Sequence, residues 1–126
     1  MAIKYNVIEK TNPRDPSAPK KFYASSFMTG KADIDNLTKR IEKISTVSGA
    51  DIRAVLYAIV DVVPDILSEG NSVTMGNLGA FRISLSSTPS DTADEVGSTN
   101  IKKARIIFTP GKEFKSMLNN LSYEKT

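Results

Sequence analysis

The chain has 126 residues, room for one domain with a modest core, and contains neither cysteine nor histidine. That composition excludes disulfides, thiolate nucleophiles, Cys/His zinc sites and any catalytic triad built on an imidazole base. With 40% hydrophobic and 25% charged residues it reads as an ordinary globular chain. No apolar run approaches the roughly 20 residues of a membrane helix. The stretch Met1-Ala2-Ile3-Lys4-Tyr5-Asn6 carries no signal-peptide core, so a cytoplasmic protein is expected.

The net charge of +3 is small, but it is unevenly placed. Residues 1–32 hold six Lys/Arg against two acids, and residues 101–126 again six against two. Between them, residues 33–70 hold four Lys/Arg against seven acids, and residues 71–100 hold Arg82 against Asp91, Asp94 and Glu95. Basic ends around an acidic middle, with a pI near 9.2, make a polyanion the first partner to consider.

In chain order, residues 3–8 alternate and predict a strand with Ile3, Tyr5 and Val7 on one face. Pro13, Pro16 and Pro19 interrupt it, since proline fixes φ and removes a donor. Phe22 to Phe27 resumes the extended pattern, giving a β-hairpin with a long polar loop. At strand spacing, Phe22, Tyr23 and Phe27 are expected to pack within the hairpin. Asp33 caps a predicted helix with Ile34, Leu37, Ile41 and Ile44 on one face. Ser48, with Asp51 three residues on, opens a second helix. That helix is apolar around much of its girth, from Ile52 to Leu67, which points to burial in a subunit interface. Pro64 should kink or restart it, and Gly70 should stop it. Asp61, Asp65 and Glu69, four apart, read as its solvated face rather than a metal site.

After Asn71 the period switches to two. Val73 and Met75 fit one short strand, residues 76–79 a turn, and Phe81, Ile83 and Leu85 the next strand. Residues 86–100 have almost no apolar content and predict a projecting, mobile arm. A returning strand carries Ile101, Lys103, Arg105 and Ile107 on one face and Lys102, Ala104, Ile106 and Phe108 on the other. Thr109 as N-cap and Pro110 in the first turn would start a last helix lined by Phe114, Met117, Leu118 and Leu121. The fold class expected is therefore α+β: a two-helix base, an antiparallel sheet with a projecting arm, and a C-terminal helix behind an N-terminal hairpin.

Three segments carry a family resemblance: Glu69-Gly70-Asn71-Ser72-Val73, Met75-Gly76-Asn77-Leu78-Gly79-Ala80-Phe81 and Phe108-Thr109-Pro110-Gly111-Lys112. In this order, and separated by an arm of suitable length, they resemble the EG-x-x-V, L-x-G-F-G-x-F and F-x-PGK markers of the HU/IHF family of bacterial DNA-bending proteins. The resemblance spans roughly residues 33–121 of a single domain, with residues 1–32 as an added hairpin and residues 86–100 as the arm. It implies an intertwined homodimer in the nucleoid that binds double-stranded DNA through phosphates, without sequence preference and with strong salt dependence. The residues expected to contact phosphates are Arg82, Lys102, Lys103 and Arg105 on the strands, and Lys112 and Lys115 at the start of the last helix.

Two departures qualify what the resemblance implies. The family's arm is basic and ends in Arg-Asn-Pro, whose proline wedges between base pairs. Here residues 86–100 hold no Lys or Arg, and Pro89 lies well before the expected tip, so bending is expected to be weak or absent. Asn77 and Leu78 replace the turn's glycine and phenylalanine, a milder change. A dimeric scaffold for protein contact is the alternative, favoured by the acidic arm. No Gly-rich phosphate loop, metal-ligand cluster or nucleophile–base pair is present, so neither an enzyme, a cofactor nor a small-molecule substrate is implied.

Overall fold

A computed structural model describes residues 2–126. The chain forms two three-stranded sheets and a helical pair. The first sheet has β1 (Ile3–Lys10), β2 (Lys21–Ser26) and β6 (Tyr123–Lys125) in the order β2-β1-β6. The second has β3 (Val73–Thr74), β4 (Gly79–Ser87) and β5 (Ile101–Pro110) in that order. Between them in sequence lie α1 (Ile34–Ile44) and α2 (Gly49–Ser68), and α3 (Lys112–Leu118) follows β5. The mixed helix and sheet content matches the expected α+β class. Among the described residues no helix is long and apolar enough to cross a membrane.

Local chemistry sets the helix ends. Asp33 accepts from the Asn36 amide at 3.0 Å while the Asn36 side chain accepts from the Asp33 amide at 3.1 Å, a reciprocal capping box. Ser48 Oγ caps α2 by accepting from the Asp51 amide at 3.3 Å. At the other end the Gly70 amide bonds the Leu67 carbonyl and the Asn71 amide the Ile66 carbonyl, the paired bonds of a Schellman stop. Pro64 neither breaks nor restarts α2, which continues through it as one helix. A proline costs about 3 kcal/mol in a helix interior, and apolar residues packed on both sides of it, Ile59, Val63, Ile66 and Leu67, offset that loss.

Several boundaries differ from the sequence reading. Met75 lies outside β3, because its amide turns to the Gly79 carbonyl at 2.8 Å and closes the turn at residues 76–78. Thr109 and Pro110 do not start α3: they complete β5 opposite Ala80 and Gly79, and Gly111 is the N-cap. Proline is tolerated at that strand end, where no ladder donor is needed. Leu121 lies beyond α3, and the chain then pairs Tyr123 with Ile3 and Lys125 with Tyr5 in a parallel ladder. A three-residue strand carries no readable period, so β6 had no signal in sequence.

The turn and the start of α3 meet backbone to backbone. Gly79, at φ +150°, is buried, and a Cβ there would lie 2.5 Å from the Thr109 carbonyl oxygen. The Gly111 amide donates to the Leu78 carbonyl at 2.9 Å, and a Cβ on Gly111 would overlap the Asn77 carbonyl. Phe81 faces Phe108 across the ladder with centroids 4.9 Å apart, and Phe114 of α3 stands edge-on to Phe108 at 5.8 Å. The sequence markers near residues 76–81 and 108–112 are thus the parts of one close-packed junction.

Little apolar surface is hidden within the chain. Among the described residues Ile52 and Leu67, 5% and 4% exposed, are the buried hydrophobics of the core. Thr38 is the one buried polar side chain, and its hydroxyl donates to the Ile34 carbonyl. On α2, residues at about 100° intervals place Ile52, Leu56, Ile59, Val63, Ile66 and Leu67 on the inward side. Val55 and Val62 border that side on one flank and Val60 on the other, and these three are exposed by 59%, 51% and 57%.

Candidate nucleic-acid interface

The β4–β5 ladder decides which side chains share a face. Its register sets Arg82 opposite Ile107, Ser84 opposite Arg105 and Ser86 opposite Lys103. Directly opposed residues of an antiparallel pair point to the same side. One face therefore carries Arg82, Ser84, Ser86, Lys103 and Arg105 together with the half-buried Ile107, and has no acidic residue in the ladder. The other carries Phe81, Ile83, Leu85, Ala104, Ile106 and Phe108. Arg82, Lys103 and Arg105 are exposed, their heads free to meet an anion.

Lys102 stands apart. The register slips between Ser86 and Ser87, so that Lys103 faces Ser86 while Ile101 faces Ser87, and Lys102 is the extra residue of a β-bulge. Lys112 and Lys115 are exposed on α3, which is only seven residues long and has Glu113 in its first turn. Of the six expected residues the ladder thus brings three onto one surface, Arg82, Lys103 and Arg105. Lys102, Lys112 and Lys115 lie at the bulge and on the following helix.

Beyond the Phe81–Phe108–Phe114 cluster the apolar face of the same sheet is uncovered. Ile83 is 41%, Leu85 56% and Ile106 66% exposed. An open hollow of about 530 Å³ between the end of α2 and β4 is lined by Leu67, Ile83 and Leu85 together with Arg82 and residues 68 and 70–72.

The segment expected to project as a mobile arm is folded. Beyond Ser87 and Ile101 the chain forms two 3-10 turns, Ala93–Glu95 and Ser98–Asn100. Asn100 closes the structure: its Nδ2 donates to the Thr88 carbonyl, Thr88 Oγ1 and Ser90 Oγ at 2.9–3.3 Å, and its Oδ1 accepts from the Gly97 amide at 2.9 Å. Side-chain bonds of this kind replace the apolar packing that the segment lacks, and their partners lie too far apart in sequence for any periodicity to reveal. Pro89 is exposed next to Thr88, at the base of the tip rather than its apex.

Phe22, Tyr23 and Phe27 are not packed in the hairpin as expected. They are 68%, 48% and 50% exposed, because a two-strand ribbon with a three-residue third strand has no second layer to cover them. Asp61 and Asp65 on α2 and Glu69 at its C-cap are exposed.

Comparison with known proteins follows the same lines. Among curated proteins, none matches the sequence. Among solved structures, a candidate DNA-binding protein of Bacteroides vulgatus superposes with a TM-score of 0.65 at 14% identity. That alignment covers 98% of this chain and 48% of the other, so this chain spans about half the length of that protein. An Anabaena HU–DNA cocrystal structure aligns over 71% of this chain and 99% of its own at 20% identity, with a TM-score of 0.49. The family model HU-HIG, an HU domain fused to a wHTH, Ig or glycine-rich motif, matches residues 1–125. With its marker residues gathered in one glycine-lined junction and the match running over nearly its whole length, the chain belongs to the HU-HIG family.

Proposed function

We propose that the chain is a DNA-binding homodimer that holds duplex DNA by its phosphates, without sequence preference, on the Arg82–Lys103–Arg105 face of the β4–β5 sheet. Residues 33–121 would form the HU-like unit and residues 1–32 its added hairpin. The observation that carries this reading is the two-sidedness of the sheet: cations and hydroxyls beside the half-buried Ile107 on one face, and the uncovered Ile83, Leu85 and Ile106 on the other. A polyanion suits the first face, because each cation that meets a phosphate releases condensed counterions. A second copy suits the other, because exposed apolar surface on both the sheet and α2 requires a partner that repeats in register. Lys102, Lys112 and Lys115 extend the footprint to its edges. The folded acidic tip, with Asp91, Asp94 and Glu95 and no cation, argues for DNA held rather than sharply kinked.

The acidic tip also favours a second reading, a dimeric scaffold whose tip docks a protein partner. Fluorescence anisotropy of a labelled duplex of about 30 base pairs, titrated at several salt concentrations, separates the two. The DNA reading expects affinity that falls steeply with salt and is equal for two unrelated sequences. Replacing Arg82, Lys103 and Arg105 by Gln should lower the slope of log K against log salt by about 2.7 for each protomer in contact. No binding at physiological salt would leave the scaffold.

A further inference from the structure

We propose that the cleft at the loop end of the β1–β2 hairpin is a second phosphate-contacting surface for duplex DNA; this rests on the DNA reading above and extends it to a segment outside the HU-like core. Lys10 and Lys21 are the last register pair of the hairpin. Side chains so opposed start about 5 Å apart at Cβ, and like charges there repel. Neither lysine has an acidic partner: the one ion pair among the described residues joins Arg53 and Asp35 at 3.0 Å. Lys10 Nζ is held instead 5.7 Å from the centre of the Tyr23 ring. The two lysines, Tyr23, Asn12 and Pro19 line an open cleft of about 550 Å³.

The nearby acids do not neutralise it. Glu9 is opposite Phe22, on the other face of the ribbon. Asp15 in the loop is not among the residues lining the cleft; it forms no ion pair with either lysine and turns to the amide and hydroxyl of Ser17, accepting at 3.2 and 2.6 Å. An anion with several acceptor oxygens, seated between the two ammonium groups, removes their repulsion. A phosphate of a polymer suits this better than a free ion, because the basic character continues past the cleft. Arg14 and Lys20 lie in the loop beside it, whereas Lys4, farther along the same face of β1, is set beside Glu124 of β6. Tyr23 is a positioning residue, fixing the Lys10 ammonium at the cleft mouth.

The test uses the full chain and the same duplex titration. Lys10→Gln with Lys21→Gln should lower the salt slope by about 1.8 for each hairpin that touches the duplex, equally for unrelated sequences. Tyr23→Phe keeps the ring and should bind as wild type, whereas Tyr23→Ala should weaken binding several-fold without changing the number of contacting cations. A double variant with wild-type slope and affinity overturns the inference and leaves the proposed function standing. A wild-type chain that binds no duplex at low salt overturns both. If inorganic phosphate at matched ionic strength displaces the duplex from wild type but not from the double variant, the cleft takes free phosphate and the inference fails.

Discussion

Val55→Asp combined with Val62→Asp tests the dimer where the protomer itself has least to lose. Both valines flank the inward side of α2, and 59% and 51% of their surface remains open within the protomer. Full burial of such a side chain is worth about 1.5–2 kcal/mol, so the unburied half of each represents about 0.8–1 kcal/mol for a partner to gain. Four valines in a two-fold dimer then contribute about 3–4 kcal/mol, several hundredfold in dissociation constant at about 1.4 kcal/mol per tenfold. Carboxylates in their place add a desolvation cost, so dissociation should be complete at micromolar concentration. Leu56 and Ile59 are poorer sites for this test, since both are already half-buried in the protomer. Sedimentation velocity reads the mass, circular dichroism checks that the helices persist, and Asp61→Lys on the outward side of α2 serves as the control that should stay dimeric. A double variant that sediments as a dimer, or a wild type that is a monomer, would refute the argument from exposed apolar surface.

Three further outcomes test the local physics. Gly79→Ala forces a Cβ onto the Thr109 carbonyl at φ +150°, and urea denaturation should show a loss of about 2–4 kcal/mol with little change in m. Ser48→Ala removes the α2 cap and should cost about 1 kcal/mol in the same assay, the Asp51 amide losing its acceptor. Asn100→Ala should release the tip without unfolding the sheet. Hydrogen exchange at the Gly97 amide should then accelerate while the amides of β4 and β5 away from the tip stay protected; unchanged exchange at Gly97 would show that Asn100 does not hold the tip.

The sequence was sufficient wherever the determinant is local. Capping side chains at Asp33 and Ser48 bond amides three residues on, so helix starts are visible in a four-residue window. The apolar girth of α2 and the period-two strands are likewise properties of short stretches, and the three marker segments were enough to suggest the family. The two faces of β5 were legible for the same reason. What Arg82 shares with Lys103 and Arg105 was only half legible: alternation gives each strand its faces and already parts Lys102 from Lys103, but the register between strands decides which faces coincide.

Where the determinant is a distant partner, only the tertiary structure decided. Thr109-Pro110 reads as a helix start until Ala80 and Gly79 claim it for the sheet. Residues 86–100 read as mobile until Asn100 supplies the bonds that their side chains cannot provide by burial. The C-terminal strand exists only because β1 offers it an edge, and the aromatics of the hairpin stay open because nothing packs above them. Local propensity and capping act over one turn or one strand, and sequence records them directly. Register, edge pairing and the covering of an apolar face are contacts between segments far apart in the chain, and they are fixed only when those segments meet.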